Sequence, residues 1–189
     1  MLPVERLIRE HRLIEQMVSL VEKETEIIVA TGKVKPNFIG AAVDFFRTYA
    51  DRYHHGKEEG ILFKELSNKR LSETDHSMIL ELTNEHAFAR RTVKSLESLK
   101  EKYVAGTTET RKDILELLNT LVKLYPQHIQ KEDTQFFLPS MKYFTQTEQE
   151  DMLDTFIEFD ENFTNKRYEK ILEALGLTSP VEVSDRVIQ

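Results

Sequence analysis

A Glu-His pair at Glu10-His11 is followed 43 residues later by His54-x-x-x-Glu58, and a second pair at Glu85-His86 is followed 42 residues later by His128-x-x-x-Glu132. His86 follows His11 by 75 residues, and His128 follows His54 by 74. Four of the six histidines and two glutamates therefore recur as a duplicated unit. Two helical hairpins that each contribute two imidazoles and one carboxylate would build a shared metal site. Imidazole is a borderline ligand and carboxylate a hard one, so the mixed set suits iron or manganese, and zinc less specifically. The set exceeds what one tetrahedral zinc uses. It matches two metals bridged by both carboxylates, each capped by two imidazoles. The carboxylates and a further oxygen bridge would neutralise much of the charge of two divalent cations in an apolar interior.

The elements that must position these residues are long helices. Glycine and proline total only 11 residues and cluster at a few points,. The first helix is expected from Pro3 to Thr31-Gly32, with Val4, Leu7, Ile8, His11, Ile14, Val18 and Val21 in one stripe,. The second starts near Pro36 and runs to about Ser67. The third opens at Ser72-Glu73-Thr74-Asp75, a weak capping box, and carries Ile79, Leu82, His86, Ala89, Val93 and Leu96 on one face,. After a turn at Gly106 the fourth presents Ile114, Leu117, Leu118, Leu121, Leu124, Tyr125 and His128. Thr145-x-x-Glu148 starts a fifth, ending near Leu175-Gly176,. The expected fold is all-α, an up-and-down four-helix bundle over residues 1–144, with a C-terminal helix over 145–176 packed on it and a tail over 177–189.

Hairpin geometry places the four histidines together. His11 and His54 lie 22 and 21 residues from the centre of the first turn, and His86 and His128 each lie 21 from the last inter-helix turn. In an up-down-up-down bundle all four sit at one height, roughly 24 Å from one end and roughly 32 Å from the other. A lone histidine on an apolar stripe is usually an ordinary core residue. Four at one level, two of them paired at i, i+4 with a glutamate on the same face, are not.

Other candidates fall away. His55, with Glu59 four residues on, shares its face with Asp44, Thr48 and Asp51, which reads as polar and solvated. His54 shares its side with Val43, Phe46, Ala50, Ile61 and Leu62. His76 lies too far along its helix from His86. Asp133 is expected to face outward or to hydrogen-bond behind a ligand. Tyr49, Tyr53 and Tyr125 lie near the site level and read as core, with a hydrogen-bonding or redox role as the sharper alternative.

Composition bounds the function. The chain has 189 residues, a formal net charge of −7 and no cysteine. That balance argues against nucleic acid and against anionic membranes. Disulfides, thiolate ligands and cysteine-held clusters are excluded. The N-terminal stretch carries charges through its apolar pattern, and no run approaches a membrane span, so a cytoplasmic location is expected.

The segments HHGKEEGILF (54–63) and HIQKEDTQFFLP (128–139), with REH (9–11) and NEH (84–86), closely resemble the hemerythrin-like, or HHE cation-binding, family of bacterial and archaeal type. The resemblance spans roughly residues 4 to 143. It implies a four-helix bundle around a non-heme di-iron centre with an oxo or hydroxo bridge. Its ligands would be His11, His54, Glu58, His86, His128 and Glu132. One departure stands out. Oxygen-carrying hemerythrins have a fifth histidine one turn from the third-helix ligand, where this chain has Leu82 and Arg90. The second carboxylate motif is also H-x-x-x-E, where the carriers have a longer spacing to Asp. Both features point away from a dedicated reversible oxygen carrier and toward a more open, more readily oxidised centre.

The resemblance implies a protein that binds O2, NO or peroxide for sensing, scavenging or redox and iron-stress protection. A di-iron peroxidase or oxidase, or an iron-responsive interaction module, are the alternatives. No flavin or nicotinamide motif supplies electrons, so an electron-donor or regulatory partner is left open. A ferritin-like site is disfavoured, because it uses Glu-x-x-His and more carboxylates.

Overall fold

The computed structural model describes residues 1–162. Helix α1 spans Pro3–Thr31 and stops where Gly32 takes a left-handed conformation (φ 66°) and returns its N–H to the Ile28 carbonyl,. Helix α2, residues 36–67, opens on Pro36 and is continuous through the segments Pro36–Phe45, Phe46–His55, Glu58–Phe63 and Lys64–Ser67. Helix α3 spans Glu73–Val104, with the Ser72 hydroxyl accepting from the Asp75 amide. Helix α4, residues 111–140, joins Arg111–Lys131, Glu132–Phe136 and Phe137–Ser140. Helix α5 spans Gln146–Asn162. Thr145 and Glu148 cap its start reciprocally: the Glu148 carboxylate accepts the Thr145 amide at 2.9 Å, and the Thr145 hydroxyl accepts the Glu148 amide at 3.3 Å,.

The four long helices form the expected antiparallel bundle, in the order α1, α2, α3, α4 around the axis. The expected continuation of the fifth helix beyond residue 162, and the tail, lie outside the described residues. Among the described residues, no helix is long and apolar enough to cross a membrane.

Two apolar clusters fill the bundle. One joins Leu13, Met17 and Val21 of α1 to Phe45, Phe46 and Tyr49 of α2, Val93 and Leu96 of α3, and Ile114, Leu118 and Leu121 of α4. The other joins Val4, Leu7, Leu62, Leu82, Phe136 and Phe137 to Met152 and Phe156 of α5. Between them, at the level the hairpin geometry predicts, lies a layer of buried polar side chains. Tyr49, Tyr53 and Tyr125 are core residues just on one side of it. His76 is exposed.

The structure departs from a regular α-helix at informative places. Phe46–His55, Glu58–Phe63 and Glu132–Phe136 are wound as π-helix, with hydrogen bonds reaching five residues back,. These wide turns carry His54, Glu58 and Glu132. A wider turn rotates successive side chains by less than the roughly 100° of an α-helix. Neighbouring residues can then face the same interior.

Candidate metal centre

The polar layer is built from the residues singled out by spacing. His11, His54, Glu58, His86, His128 and Glu132 are all buried, none more than 3% exposed. His11 comes from α1, His54 and Glu58 from α2, His86 from α3, and His128 and Glu132 from α4. Each ring points its Nε2 at the bundle axis. His54 Nε2 lies 3.1 Å from Glu58 Oε1, and His86 Nε2 lies 3.3 Å from Glu58 Oε2. His11 Nε2 and His128 Nε2 each lie 3.2 Å from Glu132 Oε2. His86 Nε2 and His128 Nε2 approach to 3.0 Å.

Apart from the His86–His128 contact, this proximity is not hydrogen bonding. His11 Nε2, His54 Nε2 and both oxygens of Glu58 and of Glu132 have no hydrogen-bond partner although they are buried. Leaving so many buried polar atoms unsatisfied is costly. A cation at the axis would satisfy them together. Two overlapping groups have ligand atoms all within 4.8 Å of one another, His11/His54/Glu58/Glu132 and His55/Glu58/His86/His128. Glu58 belongs to both.

Behind the rings lies a second layer that runs in a closed circle. His54 Nδ1 donates to Glu10 at 3.0 Å, His86 Nδ1 to Glu59 at 2.7 Å, His128 Nδ1 to Glu85 at 2.8 Å, and His11 Nδ1 to Asp133 at 2.7 Å. Each helix thus lends the residue beside its own ligand to orient the imidazole of the next helix. An ionised carboxylate only accepts, so each Nδ1 carries a proton, and a ring that gives up its second proton would offer the Nε2 lone pair inward. Each outer carboxylate is in turn held by a cation: Glu10 by Lys57, Glu59 by Arg90 at 2.8 Å, Glu85 by Lys131, and Asp133 by Arg12. Lys57 is fully buried, because Asp160 of α5 closes over it at 2.7 Å.

Electrostatics in the metal-free protein follow from this nesting. Burial disfavours charge on His54, yet Glu58 and Glu10 outweigh it and raise the ring to about 10. Burial likewise opposes charge on His86, but Glu132 and Glu59 raise it to about 9. Burial and His54 oppose charge on His11, and Asp133 and Glu132 raise it nonetheless. Burial pushes Glu132 up, but His128, His11 and His86 hold its carboxyl well below the usual range. The protein without metal therefore stores protons where a cation would sit, and metal binding must release them.

One expectation is corrected. His55 does not stand on a solvated face: it is 2% exposed, and its ring stacks on His86 with centroids 3.8 Å apart and 14° between planes. The π-wound turn is the reason, since it lets His54 and His55 both face inward. Burial, then the positive neighbours His86, His54, His128 and Arg90, holds its pKa well below the ordinary histidine value. Arg90 is also settled: it spans the outer carboxylates Asp51 (2.6 Å) and Glu59 (2.8 Å). Asp133 backs His11 rather than facing outward. The roles of Glu10 and Glu85 were visible only as half of a Glu-His pair, whose glutamate serves a different helix from its own histidine.

A cleft of about 500 Å³ between α2 and α3 reaches this layer. It is lined by Phe46, Arg47, His55, Ala89, Arg90 and Tyr125, among others.

The profile of the Hemerythrin HHE cation binding domain matches residues 2–138, which contain every residue of the layer. The chain belongs to this family. No curated protein and no solved structure matches it significantly. Membership of the hemerythrin HHE family accounts for the bundle and for cation binding, and the buried layer contains side chains that could hold the ion. The residues present fit that role, because the inward atoms are deprotonatable nitrogen and oxygen donors oriented from behind. In this hemerythrin-like chain the matched region ends just before α5, so the contacts of Asp160 with Arg6 (2.7 Å) and Lys57 are additions outside it.

Proposed function

We propose that this protein holds two iron ions, one between His11 and His54 and the other between His86 and His128, with Glu58 and Glu132 shared between them. The observation that carries the reading is that Glu58 directs one oxygen at His54 and the other at His86, 3.1 and 3.3 Å away. A carboxylate that faces two separate imidazole pairs with opposite oxygens suits a bridge better than a ligand to one ion. Four imidazoles and two carboxylates favour iron over zinc, which needs fewer donors. Such a centre keeps positions for a small exogenous ligand. The proposed role is binding of O2, NO or peroxide for sensing, scavenging or redox protection.

Anaerobic loading with ferrous iron, with iron counted per chain, tests the centre directly. Two irons are expected in the wild type and none in the double variant His54→Ala/Glu132→Ala. Retention of iron by that variant would refute the assignment. Exposure to O2 then separates the roles. A visible charge-transfer band that fades on deoxygenation means reversible binding, whereas rapid irreversible conversion to a ferric spectrum means sensing or redox chemistry.

The cleft, which His55 lines, favours a second reading, a di-iron peroxidase, which needs a path for an external reductant. Sustained peroxide consumption with a reductant, abolished in the ligand variants, would establish it.

A further inference from the structure

The two halves of the layer match position by position until two places, and both lie on one side of the centre. Glu10, His11, His54, Lys57, Glu58 and Glu59 correspond in order to Glu85, His86, His128, Lys131, Glu132 and Asp133. The residue after His54 is His55, whereas the residue after His128 is Ile129, an ordinary core side chain. The cation behind Asp133 is Arg12, beside His11, whereas the cation behind Glu59 is Arg90, a full turn beyond His86. These two departures meet in space at Asp51.

We propose that His55 is a fifth imidazole ligand, on the metal held by His86 and His128, and that Arg90 is the positioning residue that keeps it there. The inference rests on the di-metal reading above and specifies that the two metal positions are unequal.

Four observations carry it. The ligand atoms of His55, Glu58, His86 and His128 all lie within 4.8 Å of one another, as do those of His11, His54, Glu58 and Glu132. His55 Nδ1 faces the carboxylate of Asp51 at 3.6 Å, repeating the arrangement in which every other ring of the layer has a carboxylate behind it. That distance is too long for a hydrogen bond, and the buried Nδ1 has no partner,. A small movement of the ring toward Asp51 would remove that penalty and leave Nε2 as the donor atom. Finally, the single Arg90 guanidinium grips both Asp51 and Glu59, the carboxylates behind His55 and His86. It therefore locks the stacked pair as one unit.

Arg90 of α3 thus holds the carboxylate that stands behind an imidazole of α2. Of the residues in the two candidate ligand groups, His55 alone lines the cleft.

Zinc-loaded, uniformly 15N-labelled wild-type protein tests this without a mutation. Long-range 1H–15N correlations of the imidazoles are expected to show one metal-shifted nitrogen on His55, as on His11, His54, His86 and His128. Metal-shifted signals for those four with an unshifted His55 would overturn the inference and leave the di-metal reading standing. No metal-shifted ring at all would instead count against the reading on which it rests. His55→Ala supplies the second arm. One of the two irons should bind at least about tenfold more weakly, and free imidazole entering through the cleft should restore the wild-type spectrum. Iron binding unchanged in His55→Ala, with or without imidazole, would sink the proposal.

Discussion

The carboxylate of Glu10 accepts a hydrogen bond from His54 at 3.0 Å, although Glu10 is the chain neighbour of His11. The residue beside one candidate ligand therefore orients a candidate ligand on another helix. Repeated four times, this exchange turns four separate helices into one ring, so protein side chains alone aim the imidazoles.

Removing a hydrogen-bond acceptor of that ring should weaken metal binding without abolishing it. Glu10→Gln and Glu85→Gln are each expected to reduce affinity about 10–100-fold, because the ring they hold loses its orientation and basicity. Chelator competition measures this. Unchanged affinity in both variants would mean that the outer carboxylates serve only the fold.

The metal-free protein should be most stable near pH 6.5. His54 and His86 are raised from 6.5 to about 10 and about 9, so their contribution is complete below 6.5 and is lost as pH rises through those values,. His55 is shifted the opposite way, so the unfolded chain takes up its proton below 6.5 and stability falls. Glu132 is held below its ordinary 4.5, which adds a further loss as pH falls past that value. Chemical denaturation of the metal-free protein between pH 4 and 10 checks the curve. Stability that keeps rising to pH 10 would contradict it.

Metal should reverse the alkaline limb. A cation displaces the protons that His54 and His86 store, so its affinity falls on acidification and its binding releases protons into unbuffered solution. At free metal about 100 times Kd, the loaded protein should gain about 2.7 kcal/mol over the metal-free form. Melting with and without chelator measures the gain, and equal melting temperatures would contradict it.

Helix α5 should report on the centre through charge. Asp160 holds Lys57 at 2.7 Å, Lys57 holds Glu10, and Glu10 holds His54. Asp160→Asn is expected to lower stability by about 1–3 kcal/mol, since a buried ammonium loses an anionic partner. Metal affinity should fall in the same variant. A loss of stability with unchanged affinity would confine α5 to packing.

The core can be tested separately from the site. Phe156 is fully buried in the cluster that joins α5 to the bundle. Phe156→Ala should cost about 3–5 kcal/mol while metal stoichiometry stays at the wild-type value. Calorimetry and a metal count on the folded fraction separate the two effects.

The sequence by itself determined the bundle and the six inward residues. Helical periodicity and equal distances to the turns place His11, His54, His86 and His128 at one height, and i, i+4 spacing puts Glu58 and Glu132 beside them. These are properties of a helix and its length, and they need no neighbour. Tertiary structure alone decided which carboxylate stands behind which ring, because Glu10, Glu59, Glu85 and Asp133 act across helix interfaces that a linear pattern does not encode. It also decided His55. A regular α-helix would turn that side chain away with Asp51, whereas the π-wound turn of α2, packed against α3, brings it inward onto His86. Local winding is set by how two helices fit together, so the reach of His55 exists only once the bundle has formed.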